Sequence, residues 1–141
     1  MPSNPPLHRS DLAALAGFRY ALRKFLRFSK ELLATEGQIT VEQYEALLAL
    51  RVSDSAKGMQ VGQLSERLQV RHHTTVALTN KLMDRGLVSK RRAPGDRRQV
   101  YVRLTAAGTQ LIDRLAIQHR REIGLRSGEM ITVLQRLRDD K

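Results

Sequence analysis

Between Leu12 and Leu33 the apolar residues Leu15, Phe18, Leu22, Phe25 and Leu32 recur at alternating spacings of three and four, with Ser29 in the one polar slot of the series. That period predicts an amphipathic helix. Ser10 is its expected N-cap, and Asp11 sits in the first turn, where a carboxylate complements the helix dipole. Arg19, Arg23, Lys24, Arg27 and Lys30 lie mostly off the seam. A seam this narrow is what one helix offers another, either within the chain's own core or across a subunit interface. Residues 1–9 hold all but one of the prolines and are expected to form a flexible leader.

Glu36-Gly37 ends this helix, and Thr40-Val41-Glu42-Gln43 is a capping box that opens the next, which carries Tyr44, Leu47, Leu48 and Leu50 and stops near Val52. Residues 53–58 have loop composition, and Met59-Gln60-Val61 suits one short strand. Gly62 to Leu68 reads as a short helix with Leu64 and Leu68 on one face. Gln69-Val70 is a tight connection, and Arg71 to Arg85 reads as a second helix. The apolar arc of that second helix runs through Val76, Leu78, Thr79, Leu82 and Met83, and its other arc shows His73, Thr74, Ala77 and Lys81. Gly86 is a C-terminal stop. Lys90 to Arg103 reads as a β-hairpin turning at Ala93-Pro94-Gly95-Asp96. Val100, Val102 and Leu104 alternate with Tyr101 and Arg103, so one face is buried, and the half-apolar Tyr101 leaves open which. Thr105 caps a further helix bearing Leu111, Ile112, Leu115 and Ile117. Gly124 and Ser127-Gly128 are expected to break it before a last helix with Ile131, Leu134 and Leu137.

The 141 residues suit one compact domain or two small lobes, and the hydrophobic fraction of 41% with 28% charged residues is ordinary for a globular chain. No apolar run approaches the roughly 20 residues that cross a bilayer. The absence of cysteine excludes disulfides, thiolate catalysis and thiolate metal sites. Met1-Pro2-Ser3-Asn4-Pro5-Pro6 does not read as a secretory signal, so a cytoplasmic location is expected.

Charge changes the picture most. Lys and Arg number 25 against 14 Asp and Glu, a formal net charge of +11. Such an excess favours a polyanion, either nucleic acid or an anionic membrane surface. Its location decides between them. From Arg85 to Arg103 the cations are Arg85, Lys90, Arg91, Arg92, Arg97, Arg98 and Arg103, and the only acid is Asp96. A short helix, a tight turn, a second helix and then a basic hairpin suit duplex DNA: the second helix enters the major groove with its N-terminal residues toward the base edges. That helix begins Arg71-His72-His73-Thr74-Thr75, all hydrogen-bonding side chains, and its free amides attract phosphate. Arg71 suits either a guanine fork or a phosphate, and His72, His73, Thr74 and Thr75 either role more weakly. Lys81 lies on the same arc, and Arg91 and Arg92 add charge beside it. The hairpin tip, with Arg97 and Arg98, suits a narrow minor groove. Asp96 would repel phosphate, so its role is to orient Arg98 or to cap the turn, and orientation is the favoured reading.

At these residues the sequence resembles the multiple antibiotic resistance regulator (MarR) family of winged-helix transcription factors. The likeness is carried by Val61-Gly62-Gln63-Leu64-Ser65-Glu66-Arg67-Leu68, by Asn80-Lys81-Leu82-Met83-Asp84-Arg85-Gly86-Leu87-Val88, and most specifically by Asp96-Arg97-Arg98 followed by Leu104-Thr105, Gly108 and Leu111. Phe18-Arg19-Tyr20-Ala21-Leu22-Arg23-Lys24-Phe25 also looks like the family's first helix. The resemblance implies a mainly α fold with a small antiparallel sheet: about six helices, with residues 59–61 pairing beside the wing strands. It implies an N-terminal dimerisation helix over residues 10–37, a winged helix-turn-helix lobe over 38–107 with reading helix 71–86 and wing 88–104, and C-terminal dimerisation helices over 108–141. Leu15, Phe18, Leu22, Ile131, Leu134 and Leu137 are the expected dimer contacts. Two reading helices would meet successive major grooves, about 34 Å apart, on a pseudo-palindromic operator. Arg98 would be the wing arginine reaching the minor groove, braced by Asp96.

The family likeness also implies a small effector, often an aromatic acid or phenol, whose binding usually releases DNA. Phe18, Tyr20, Phe25, Phe28 and Tyr44 are the aromatic candidates for its pocket, although aromatic residues on helices are more often core. No metal or cofactor is expected, because His8, His72, His73 and His119 are scattered. Catalysis is not expected either: Ser65, His72, His73 and Asp84 come with no nucleophile elbow, glycine-rich phosphate loop or carboxylate pair. The expected protein is a homodimeric, sequence-specific regulator of double-stranded DNA, a repressor as is the commoner case among relatives, released by a small aromatic or phenolic effector; a constitutive architectural nucleic-acid binder without effector is the alternative. A membrane partner leaves the Asp96-bearing hairpin unexplained.

Overall fold

A computed structural model describes residues 4–53 and 55–139. The elements run α1 (Arg9–Leu32), a π-helical turn (Leu33–Gly37), α2 (Val41–Val52), β1 (Met59–Gln60), α3 (Val61–Leu68), α4 (His72–Asp84), β2 (Val88–Ala93), β3 (Asp96–Leu104) and α5 (Ala106–Asp139). The architecture is mainly α with one three-stranded antiparallel sheet of order β1-β3-β2. No helix among the described residues is long and apolar enough to cross a membrane. The chain divides into two compact units: Leu32–Ile117, and the chain through Glu31 together with Gln118 onward.

The first unit is a lobe built on local signals. Thr40 Oγ1 accepts the Gln43 backbone N–H (3.1 Å) and Gln43 Oε1 accepts that of Thr40 (2.9 Å), closing the expected capping box and launching α2. At the end of α4, Gly86 adopts φ +72° and the amides of Gly86 and Leu87 return to the carbonyls of Met83 and Leu82. That Schellman closure turns the chain into β2. The hairpin pairs Val88 with Leu104 and Lys90 with Val102, while Met59 of β1 also pairs with Val102. Leu33, Leu47, Leu64, Leu82, Val102, Ile112 and Leu115 are fully buried. Val100 and Leu104 pack against this core, so the valine face of β3 is the inward one.

In the second unit α1 packs along the distal part of α5. Gly17 faces Val133, Lys24 Nζ reaches Glu129 (3.2 Å) and Ser29 Oγ meets His119 Nε2 (2.8 Å), so the two segments run antiparallel. Phe25 and Phe28 present edges to the buried His119 ring.

Several expectations are corrected. Residues 1–3 of the expected leader lie outside the described residues; residues 4–8 are irregular and exposed. The helix begins at Arg9, because the His8 backbone N–H donates to Asp11 Oδ2 (2.7 Å) and fixes the cap there rather than at Ser10. The buried line of α1 is Ala14, Ala21 and Ser29, with Leu15 exposed. Leu48, Met83 and Ile117 are exposed as well. Val61 starts α3 instead of extending β1.

Gly124 and Ser127-Gly128 do not break α5, which is one 34-residue helix, so the described residues form five α-helices and a π turn instead of about six helices. An isolated glycine costs a helix only about 1 kcal/mol. No proline enforces a stop, and the Ser127 and Thr132 hydroxyls bond back to the carbonyls of Gly124 (2.8 Å) and Gly128 (2.9 Å). The C-terminal region expected as several helices is therefore a single rod, residues 140 and 141 lying outside the described residues.

Candidate nucleic-acid interface

α3 and α4 are joined by a short turn in which Gln69 takes a left-handed conformation (φ +56°) and its amide closes on Glu66. Arg71 is the N-cap residue of α4 and makes no side-chain cap, so no cap side chain occupies the first-turn amides. Arg71, His72, His73 and Thr74 are exposed, and Ala77 and Lys81 continue the exposed arc one and two turns on. This is the arc expected to face DNA.

Thr75 is a correction. It is fully buried, its hydroxyl 2.8 Å from Ser65 Oγ and 3.2 Å from the Arg71 carbonyl. It ties α3 to α4 and has no surface to offer a base. In a helix the arc occupied by Val76, Thr79 and Leu82 also includes position 75, and the polar side chain is satisfied internally.

Two of the seven cations between Arg85 and Arg103 also have structural partners. Arg85 donates to the carbonyls of Gln38 (2.6 Å) and Gly37 (3.0 Å), satisfying the acceptors where the π turn ends. Lys90 Nζ donates to Asn80 Oδ1 (2.5 Å) and reaches the Val76 carbonyl (3.4 Å), fastening β2 to α4. Partial burial pushes the Lys90 ammonium below the usual lysine range. Arg91, Arg92, Arg97, Arg98 and Arg103 remain exposed and form no ion pair with a described residue.

The wing tip turns at Gly95 (φ +83°), a left-handed conformation that glycine adopts without strain. Asp96 Oδ1 accepts the backbone N–H of Arg98 (3.0 Å). The favoured reading, a carboxylate orienting the Arg98 guanidinium, is thus corrected to the other: Asp96 caps the turn through the backbone and forms no ion pair with the guanidinium. A groove of about 570 Å³ runs between α4 and the wing, lined by His72, Lys90, Arg91, Arg92 and Arg98. Gln60 and Gly62 also line it. Neither was among the expected contacts, since nothing local marks the strand-to-helix junction as lying beside the wing.

The remaining candidates sort by unit. Leu15, Ile131 and Leu134 are exposed, and Phe18, Leu22 and Leu137 are half-buried. Of the aromatic candidates, Phe18, Phe25 and Phe28 are half-buried on α1, while Tyr20 is exposed with Lys24 Nζ 4.4 Å from its ring centroid. Tyr44 sits in the core of the lobe, where burial raises its hydroxyl pKa.

Residues 38–99 match the sequence profile of the MarR family. The HTH-type transcriptional repressor NicR of Pseudomonas putida is 31% identical over 146 residues, covering 97% of this chain and 90% of the relative. The chain belongs to the MarR family. Its fold is that of solved MarR regulators. Sco3205 from Streptomyces coelicolor, solved in complex with DNA, superposes with a TM-score of 0.76 at 16% identity, over 89% of this chain and 78% of that one. CouR from Rhodococcus jostii RHA1, solved with p-coumaroyl-CoA, gives 0.69 at 24% identity, over 86% and 84%. In this MarR-family chain, α3 and α4 form the helix-turn-helix and β2–β3 the wing.

Proposed function

We propose that this MarR-family regulator is a homodimeric, sequence-specific repressor on duplex DNA, released by a small aromatic acid or phenol. The observation that carries the reading is the pairing of an exposed α4 arc with a wing whose tip arginines, Arg97 and Arg98, are exposed and outside every ion pair among the described residues. Arg71, His72, His73, Thr74 and Lys81 would meet the major groove and its flanking phosphates. Arg91 and Arg92 would meet the backbone beside it, and Arg98 would enter the minor groove from a turn held by Asp96.

Dimerisation is supported by large apolar side chains left exposed on α1 and distal α5, among them Leu15, Ile131 and Leu134. A two-fold partner would bury them and supply the second reading helix. Residues 10–37 and 108–141 are assigned to that interface, and residues 38–107 to DNA. Repression follows the description of NicR, and a small organic ligand is supported by CouR, which was solved bound to p-coumaroyl-CoA.

The test is a footprint of the purified chain on the DNA upstream of its own gene, with and without a panel of aryl carboxylates and phenols. Protection of one pseudo-palindrome, relieved by a member of the panel, is the expected result. Featureless coating of the DNA would favour a constitutive architectural role and overturn the reading.

A further inference from the structure

One face of α2 serves none of the DNA contacts named above and lies outside the segments assigned to dimerisation. Glu45, Leu48 and Val52 follow one another at spacings of three and four within α2, so they form a single stripe on its surface. All three are exposed, Val52 to 63%, and Glu42 stands exposed one turn before Glu45. At its other end the stripe meets a groove of about 540 Å³, whose lining includes Val52, Met59, Tyr101, Gln63, Lys57 and Arg67.

The face is graded along its length, with carboxylates at one end, bare apolar side chains in the middle and cations at the other end. Glu42, Glu45, Lys57 and Arg67 form no ion pair with a described residue, and no described carboxylate lines the groove. Glu45 and Val52 are separated by about 10 Å of helix at roughly 1.5 Å per residue, so the acidic end stands clear of the basic groove. A surface charged in this way is complementary to its own copy turned through a half rotation. A two-fold axis near Leu48 and Val52 packs these side chains on their counterparts and sets each acidic end against the other copy's Lys57 and Arg67. Single exposed apolar residues are common on any surface; what distinguishes this stripe is the opposite charge at its two ends.

We propose that this face docks a second copy of the chain, in a two-fold contact separate from the α1–α5 pairing. A uniformly acidic partner or a duplex fits it less well, because Glu42 and Glu45 repel either one. A contact resting on so few apolar side chains is weak in free solution and takes effect where copies are concentrated. Neighbouring sites on one DNA molecule hold copies at an effective concentration on the order of millimolar, so the contact makes occupation of adjacent operators cooperative. Only this consequence rests on the DNA-binding reading; the contact itself does not.

The experiment is sedimentation equilibrium of the full chain from about 10 µM to about 1 mM, the upper end matching the concentration that neighbouring sites impose. Salt is held at about 0.1 M, where a Debye length of about 10 Å damps the general repulsion between cationic chains and spares contacts within the interface. The mass at low concentration reports the α1–α5 pairing, and its rise with concentration reports the α2 face. Glu45→Arg and Arg67→Glu each turn two attractive pairs of a two-fold contact into repulsive ones and weaken the association behind the rise about tenfold. Both are surface changes, and neither alters the low-concentration mass. Mixing the two variants in equal amounts restores the rise, because in a mixed contact both pairs again join opposite charges. No rise in the wild type, a rise indifferent to both substitutions, or no recovery on mixing overturns the proposal. A fall in the low-concentration mass of either variant places the face inside the α1–α5 dimer and overturns it too. A second arm measures binding to a duplex carrying two copies of the footprinted palindrome at several spacings. The wild type fills them cooperatively, while Arg67→Glu keeps the single-site affinity and fills them independently. A large loss of single-site affinity in Arg67→Glu would assign Arg67 to DNA and overturn the copy-to-copy contact. Association in solution with independent filling by the wild type overturns the cooperative consequence alone. Should the chain bind no DNA, the sedimentation arm still decides the face, so the two failures are separable.

Discussion

Gly108 sits in the first turn of α5, where the helix passes under the start of the wing. A Cβ built there falls 2.0 Å from the Leu87 carbonyl oxygen and 3.0 Å from its carbon. Carbon and oxygen approach no closer than about 3.3 Å even in favourable contacts, so roughly 1.3 Å must be absorbed by movement. The obstacle is backbone, and it is committed: the Leu87 carbonyl accepts the Thr105 N–H (3.1 Å) and leads directly into β2. Gly108→Ala is therefore expected at the upper end of overpacking costs, about 3 kcal/mol. For a chain of this size that lowers Tm by roughly 6–12 °C. The control is Gly124→Ala, where an added Cβ meets nothing within 4 Å and the residue is exposed. Replacing a helical glycine there stabilises by about 0.5–1 kcal/mol. Thermal unfolding by circular dichroism at one fixed protein concentration reads both, the fixed concentration removing any shift from self-association. A Gly108→Ala variant melting with the wild type would refute the packing described at the α5–wing junction, and a Gly124→Ala variant melting lower would refute the open helical setting given to Gly124.

Other consequences follow from single interactions. Arg85→Ala removes two charge-assisted bonds to the Gly37 and Gln38 carbonyls and is expected to cost about 1–3 kcal/mol in a denaturant melt, while duplex affinity at a temperature where the variant is folded stays near wild type. Thr75→Val keeps the volume but loses the hydroxyl between Ser65 and Arg71. It should cost about 1 kcal/mol and leave the footprint unchanged, whereas a shifted footprint would restore Thr75 as a DNA contact. Asp113 is held below the usual carboxylate range by the Arg51 guanidinium, through a 2.8 Å hydrogen bond and its charge. A carboxyl with a depressed folded pKa contributes stability above its unfolded value of about 3.9 and loses it as pH falls through the folded value. Acid titration of stability should accordingly be shallower below about pH 4 in Arg51→Ala than in the wild type.

What the sequence made legible was local or periodic. The Thr40–Gln43 box, the turn at Gly95, the Gly86 stop and the Thr105 cap each involve residues within a few positions, where side-chain chemistry and backbone geometry specify one another. The features that escaped depend on partners far along the chain. Thr75 reads as a polar surface residue until Ser65, ten positions earlier, is placed opposite it. Arg85 and Lys90 read as free charge because their acceptors lie on the π turn and on α4. Asp96 was legible as a residue with a structural duty, and a two-residue reach to a backbone amide is the shorter of its two options. α1 shows the limit of periodicity: an apolar seam states that a helix packs, but Ala14 and Ala21, being small, sit where the neighbouring helix comes closest. The continuity of α5 through Gly124 and Gly128 was hidden because glycine lowers helix propensity without forbidding the helix.

The salt dependence of duplex affinity, measured by fluorescence anisotropy on the footprinted palindrome between about 50 and 200 mM salt, bears hardest on the role given to the wing. Each neutralised phosphate contributes a slope of about −0.9 in log affinity against log salt. Arg97→Ala combined with Arg98→Ala removes two cations from each protomer of the proposed dimer. The plot should then become shallower by up to about 3.6, with affinity for the palindrome falling toward that for random duplex. A double variant that keeps both the wild-type slope and the wild-type preference would place the wing off the DNA.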